Sequence, residues 1–584
     1  MEHGYNNERA VQILISLLKS HGIKKIVASP GATNVTFIGS VQYDPWFEIY
    51  SSVDERSAAY MACGMAYESG EPVCLSCTGA TASRNYYSGM TEAYYKKLPV
   101  IAITSTQINV RQGNLYAQVI DRSVVANDVT NYNVTLPFVD TTEDELECNI
   151  RINEALLAAK RHGGGPVHIN LQTKYSRNFN VKDLPKERVI NRIEIDNKWP
   201  DINVDRIGIF IGSHKRVNDH LKDLIERFCE QFNAVVFCDH TSGYYGKYKV
   251  NYDIASSQLT NTGDVFPLLI HIGEVSGSYF IGNNALETWR VCADGEIRDR
   301  FSNLTKVFEM SESVFFEHYV SDKSLAAGNG NCSFYKECKG KVEDLRARIP
   351  ELPFSASWIA KNSNDKIPAG SVIHFGIYNS LRTWSYFDLP DGVESACNVG
   401  GFGIDGAMST LLGAALSNPD KLHFLVLGDL AFFYDMNALG NRHIGKNIRI
   451  LLINNGKGSE FRIYNHIAAE FGDDADEYMA AAGHYGNKSF DLVKHYVTDL
   501  GFEYMTAKSK EDYLSFLPLF VSDEKRDKPV VFEIFTNSTD ESRALELIHS
   551  IDKNKQMVAK DVLRTVAGEK GYDLLKKVKN SLKK

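Results

Sequence analysis

The chain has 584 residues, a formal net charge of −9, 43% apolar residues and 23% charged residues. This length exceeds a single hydrophobic core and predicts about three domains, and the acidic balance offers no basic surface for a nucleic-acid partner. The opening MEHGYNNERA lacks a basic-then-apolar leader, no apolar run reaches bilayer length, and the 10 cysteines are scattered, so a cytoplasmic chain with no membrane partner is expected.

KKIVASPG reads as a short strand running into a Pro-Gly turn, and SSVDERSAAYMACGMAYESG as a small-residue helix that opens on Asp54 and Glu55. Carboxylates are favoured at a helix start by its free N–H groups, so a capping role and a chemical one are both open for Glu55 at this point. EPVCLSCTGA is a strand ending in glycine, and LPVIAITST another, after the helical SRNYYSGMTEAYYKK. Cys74 and Cys77 form a lone Cys-x-x-Cys without a second pair or flanking histidines; they read as buried strand residues, not as a zinc or redox motif. Strand–helix alternation of this kind predicts a parallel sheet covered on both faces, with ligands at the strand C-termini.

LPKERVINRIEIDNKWPDINVD is polar, carries prolines and reads as a linker. RIGIFIGS, AVVFCDHTSG and PLLIHIGEVSG then form a second α/β block, and DHTSGYYGKYKV either borders a site or forms an interface. After KGKVEDLRARIPELPFSASW the pattern repeats in GSVIHFG, DGAMSTLLGAALS, KLHFLVLGD and NIRILLINNG. The expected fold class is α/β, three domains with parallel sheets at 1–185, 186–350 and 351–545, followed by a helical tail at 546–584. The basic tail suits a solvated amphipathic helix or a polyanion contact.

VLGDLAFFYDMNALGNRHIGKNIRILLINNGKGSEF is the most informative stretch. One apolar strand ends in Gly428-Asp429 and the next in Asn454-Asn455, with Asp429 and Asn455 26 positions apart. That is one strand–helix–strand unit, which brings both side chains to the same sheet edge. A carboxylate, an amide oxygen and the Lys457 carbonyl are hard ligands suited to Mg²⁺ that completes its shell with phosphate oxygens. The helix that begins at Asp429 can offer N–H groups to the same phosphate. Gly-Asp and Asn-Asn are also ordinary strand-end turns.

The motifs SPGATN, DERSAAYMACGMA, NSLRTW, GFGIDGAMSTLLGAA, GDLAFFYDMNAL and NNGKGSEF resemble the thiamine-diphosphate-dependent 2-oxo-acid decarboxylase superfamily. Within it the chain is most similar to the menaquinone-pathway SEPHCHC synthases, which join decarboxylated 2-oxoglutarate to isochorismate. The resemblance implies pyrimidine-binding, central and diphosphate-binding domains in that order. Its implied cofactors are thiamine diphosphate and Mg²⁺. It makes Glu55 the acid that promotes the imino tautomer of the aminopyrimidine, a role suited to a carboxyl sunk among small apolar neighbours. Gln118 then faces the reacting carbon. Ile404 props the cofactor into its bent form. Further cofactor contacts carry over to Pro30, Asn85, Ser380, Gly403, Gly428, Leu430 and Ala431, besides Asp429, Asn455 and Lys457. Asn85 also reads as a helix-surface amide. Substrate contacts carry over to Ser29, Gly31, Ala32, Thr33, Arg382, Glu460 and Phe461. One subunit's pyrimidine domain meets another's diphosphate domain in this superfamily, so a homodimer or homotetramer is implied.

Against the synthases, Thr33 and Val399 stand where they carry arginines, Ser278-Tyr279-Phe280 replaces a Ser-Lys-Arg, Arg382 falls two positions early, and Glu460-Phe461 replaces Ile-Phe. Two substrates with four carboxylates need bidentate cations. The expected reaction is therefore decarboxylation of a small, pyruvate-like 2-oxo acid, with transfer to a neutral or cationic carbonyl acceptor. Use of 2-oxoglutarate and isochorismate, and a catalytically silent scaffold, are the alternatives. There is no adjacent His-His pair, such as pyruvate decarboxylases use to protonate their intermediate, and this favours ligation over aldehyde release.

Overall fold

The computed structural model describes residues 4–259, 265–278, 281–321, 332–524 and 526–552. The chain gathers into two units, Met1–Lys198 with Asp294–Glu309, and Trp199–Ala293 with Met310–Lys584.

In the first unit six parallel strands lie in the order Glu48–Ser51, Lys25–Ala28, Val73–Thr78, Val100–Gln107, Val167–Thr173 and Tyr132–Thr135. The central three are almost wholly buried, as expected of a parallel sheet covered on both faces. Helix Arg9–Ser20 sets Val11, Leu14 and Leu18 into one face with Ile26, Ile101 and Ile103. Helix Glu55–Ser69 sets Ala58, Ala59, Ala62 and Ala66 into the other with Leu75 and Ala102. Small residues are needed here because a Cβ on Gly89 would lie 2.4 Å from that of Ala59. Asp54 caps the helix by accepting from the Arg56 N–H at 3.0 Å, and Gly70 ends it with a left-handed φ of 68°. Cys74 and Cys77 are buried in clusters on opposite faces of the sheet, so they cannot act as a pair.

The second unit holds two sets of parallel strands. The central set runs Lys249–Asn251, Ala234–Cys238, Ile207–Ile211, Phe266–Ile272 and Ala285–Cys292. A short parallel pair from the same stretch of sequence, Asn191–Ile193 with Leu304–Glu309, belongs to the first unit. The last sheet runs Glu394–Cys397, Val372–Phe375, His423–Gly428, Ile448–Asn454, Val530–Phe535 and Glu503–Ala507. The chain is therefore built of three α/β sheets with parallel strands.

The first and last sheets share one strand order, second–first–third–fourth–sixth–fifth. Successive connections leave the first and third strands in opposite directions, which opens a crevice at their C-terminal ends. In the first sheet that edge carries Ser29–Gly31 and Gly79; in the last it carries Gly376 and Asp429. Helix Ser538–His549 runs through position 545, and residues 553–584 of the expected tail lie outside the described residues. Among the described residues no helix is long and apolar enough to cross a membrane.

Glu541 ties the last of these helices to the start of helix Ala356–Ser363. Both its carboxyl oxygens accept from the Ala356 N–H at 3.0 Å, and Thr536 donates to it at 2.7 Å. It is 2% exposed, and burial pushes its carboxyl up to about 7. Between the ordinary glutamate value and about pH 7 the folded chain therefore keeps a proton that the unfolded chain has released, and stability falls as pH rises through that window. Replacing Glu541 with Gln flattens this slope in urea melts recorded from pH 5 to 8, and Glu541→Ala costs about 1–3 kcal/mol by stranding the helix N–H.

Candidate active site

Two strand ends build the acidic corner of the last sheet. Strand His423–Gly428 pairs with Ile448–Asn454 in a register that puts Gly428 beside Ile453, so Asp429 follows one strand end and Asn454-Asn455 the other. Asp429 is 4% exposed. One carboxyl oxygen accepts from the Leu430 N–H at 2.8 Å and the other from the Gly456 N–H at 2.6 Å. Desolvation nevertheless dominates and pushes the carboxyl up to about 7, with the backbone donors opposing. Asn455 Oδ1 is enclosed and has no hydrogen-bond partner.

A carboxylate short of countercharge beside an unpaired amide oxygen is a donor set that a hard divalent cation satisfies. Among the described residues no group of three or more His, Cys, Asp or Glu could hold a metal. A cation here needs main-chain and ligand oxygens to complete its shell. The Lys457 ammonium is turned away to Asp476, at 2.5 Å, which leaves its carbonyl as the group to consider. Gly428 precedes Asp429 in extended conformation, and half-buried Leu430 and buried Ala431 start helix Asp429–Asp435. Ile404 is half-buried and packs against the cluster of Leu411, Leu427 and Phe432, while Gly403 before it is exposed.

Helix Asn379–Ser385 follows strand Val372–Phe375, which lies beside His423–Gly428 in the same sheet. Ser380 is buried on it, and Asn379 donates to Ser459 Oγ at 2.8 Å. Arg382 makes a bidentate pair with Glu460, at 2.8 and 2.9 Å, and also donates to Asn379 Oδ1 at 3.0 Å. Phe461 is partly exposed and meets His466 edge-on. Tyr378 and Phe402 both hold a left-handed φ, 59° and 54°, and their rings touch at 5.6 Å. Bulky residues adopt this conformation only where their surroundings enforce it.

In the first unit Glu55 begins its helix and accepts from Asn85 Nδ2 at 3.0 Å. Asn85 is thus brought to the carboxyl. The expectation of a carboxyl sunk among alanines needs correction: Glu55 is half-buried, because Ala58, Ala59, Ala62 and Ala66 face the sheet from positions beyond it on the helix. Ser29 is buried with its hydroxyl unpaired, Pro30 and Ala32 are exposed, and Gly31 packs so closely on Thr78 that a Cβ would lie 2.7 Å away. Thr33 turns inward, donating to the Ser105 carbonyl at 2.6 Å and bonding the Thr78 hydroxyl. Gln118, with a φ of 66°, sits on an exposed irregular segment after strand Val100–Gln107.

The sequence reading missed the Arg382–Glu460 pair, which joins residues 78 positions apart, and the strained Tyr378–Phe402 contact. Tyr279 and Phe280, compared above with a Lys-Arg of the synthases, lie outside the described residues.

Comparison with known proteins bears on this architecture. Residues 8–125 match the family described as thiamine pyrophosphate enzyme, N-terminal TPP binding domain. A 2-succinyl-5-enolpyruvyl-6-hydroxy-3-cyclohexene-1-carboxylate synthase of Bacteroides thetaiotaomicron is 30% identical over 567 residues, covering 93% of this chain and 98% of the relative. A synthase of the same name from Bacteroides fragilis is 30% identical over 563 residues, with 93% and 98% covered. That of Porphyromonas gingivalis is 26% identical over 572 residues, covering 92% and 96%. With its parallel α/β sheets and a likeness that runs from end to end, the chain belongs to the SEPHCHC-synthase family of thiamine-diphosphate-dependent enzymes.

Proposed function

We propose that the chain decarboxylates a 2-oxo acid and transfers the remaining carbon fragment to a carbonyl acceptor, with Mg²⁺ beside thiamine diphosphate. The observation that carries this reading is the desolvated Asp429 next to the unpaired Asn455 oxygen. These two side chains and the Lys457 carbonyl would hold Mg²⁺, and the N–H groups at Leu430 and Ala431 would meet the diphosphate. When bound, thiamine diphosphate supplies the electron sink on which the 2-oxo acid loses CO₂.

The chain's own groups do the rest. Glu55, oriented by Asn85 at 3.0 Å, holds a proton against a ring nitrogen of the aminopyrimidine. Ile404, half-buried against Leu411 and Phe432, would pack against the cofactor. Gln118 orients the reacting carbonyl, and Pro30, Ser380, Gly403 and Gly428 shape the surface against which the cofactor lies. We infer at least a homodimer, supported by the apolar side chains exposed at and beside the Glu55 helix: Val53, Tyr60, Met61 and Tyr67 are 77, 48, 38 and 68% exposed.

End-to-end likeness to the synthases supports 2-oxoglutarate and isochorismate as the substrates over the pyruvate-like donor expected from the sequence. Three observations favour a second reading, with a small donor and an uncharged acceptor. Arg382 is already neutralised by Glu460, Thr33 faces the sheet, and Val399 is 2% exposed.

The two readings separate when the protein, Mg²⁺ and thiamine diphosphate are given 2-oxoglutarate with isochorismate, or pyruvate with an aldehyde, and CO₂ and product are followed. The synthase reading expects product from the first pair alone; CO₂ from neither donor overturns both. Glu55→Gln lowers turnover by about 10²–10⁴-fold while calorimetric affinity for thiamine diphosphate stays in the same range. Asp429→Ala removes the Mg²⁺-dependent part of that affinity, and unchanged Mg²⁺ dependence would refute the metal assignment.

A further inference from the structure

Strand Val530–Phe535 reads VVFEIF, and one residue breaks the apolar run: Glu533, at 0% exposure. Burying a carboxyl is costly unless its oxygens are supplied with donors, and here both are. Asn454 Nδ2 donates to one oxygen at 2.7 Å, and the Tyr504 hydroxyl donates to the other at 2.7 Å. The sheet register brings the three together. Glu533 lies beside Leu452 on one neighbouring strand and beside Thr506 on the other. Asn454 follows Leu452 by two residues and Tyr504 precedes Thr506 by two, so each shares the face of its strand that Glu533 meets.

The next link leads to the acidic corner. A carboxylate oxygen only accepts, so the Asn454 amide turns its nitrogen to Glu533 and its oxygen the other way. That oxygen accepts from the Gly456 N–H at 3.2 Å, and the same N–H donates to Asp429 at 2.6 Å. Gly456 holds a left-handed φ of 77° and is flanked by Asn455 and Lys457. The Thr536 N–H pins the strand end once more, donating to the Asn454 carbonyl at 3.0 Å. Glu533 thus reaches the turn through one amide. With an apolar residue in its place both orientations of that amide are open, and in one of them Nδ2 opposes the Gly456 N–H. A residue needed only to fill the sheet would be apolar, as Val531, Phe532 and Ile534 are.

We propose that Glu533 is a positioning residue for the divalent cation. By fixing the Asn454 amide it holds the turn at Gly456, so that the Asn455 oxygen and the Lys457 carbonyl stand ready for Mg²⁺. The proposal rests on the assignment of Mg²⁺ to Asp429, Asn455 and Lys457, and it names the group that supports two of them from behind. Groups that orient a metal's ligands contribute about 10–100-fold in metal affinity.

Calorimetric titration of the full-length protein with thiamine diphosphate, over a series of Mg²⁺ concentrations, tests this beside melting temperatures taken in EDTA. In Glu533→Leu the Mg²⁺ concentration for half-maximal binding should rise about 10–100-fold. Glu533→Gln can keep both links, its oxygen accepting from Asn454 and its nitrogen donating to the Tyr504 oxygen, and should restore most of that affinity. A Glu533 that serves the fold alone would lower the melting temperature and leave the Mg²⁺ requirement where it was, and that result overturns the proposal. An equal loss in Glu533→Gln overturns it too. If Glu533→Leu fails to fold, Asn454→Ala cuts the same chain one link nearer the turn and decides by the same criterion. Binding by the unsubstituted chain that ignores Mg²⁺ removes the metal assignment and this proposal with it, whereas a Mg²⁺ requirement shared unchanged by every variant removes the role of Glu533 alone.

Discussion

The desolvation of Asp429 is the constraint on which the rest of the architecture turns. A carboxyl with 4% exposure between two backbone donors has lost more hydration than two N–H groups return. It stays at the corner because the strand before it is buried along its length and the helix after it begins there. The sheet thus holds an acid in a place it would leave if it were free to. A divalent ion is the kind of partner that relieves such a position, and the empty lone pairs of the neighbouring amide point to the same need.

The same sheet edge has been used twice. Both six-stranded sheets open at the junction of their first and third strands, and each gathers its candidate residues in the turns there. One edge carries Asp429 and Asn455, the other the Glu55–Asn85 pair. Repetition of one topology gives a single chain two such edges without a second architecture.

How much of this was legible in the sequence depends on whether the cause was local. Asp429 and Asn455 could be read because an apolar run fixes a strand, a strand fixes its end, and the spacing of one strand–helix–strand unit fixes the neighbour. The alternation of the three blocks could be read for the same reason. The surroundings of Glu55 were misread because composition does not say which way a helix faces; its alanines serve the sheet, and the acid sits at the rim. Thr33 was carried over from the resemblance as a substrate contact, and its inward rotation depends on Ser105 and Thr78, far off in sequence. The left-handed backbone of Tyr378 and Phe402 leaves no compositional trace at all, since neither is a residue that seeks it.

Glu460 is tethered to the same rigid framework as the guanidinium it faces. A tethered group acts at an effective concentration on the order of millimolar or above, so a freely diffusing acid present below that level finds the arginine already taken. The pair is thus an internal competitor. Any acid that reached this guanidinium would have to displace Glu460 first.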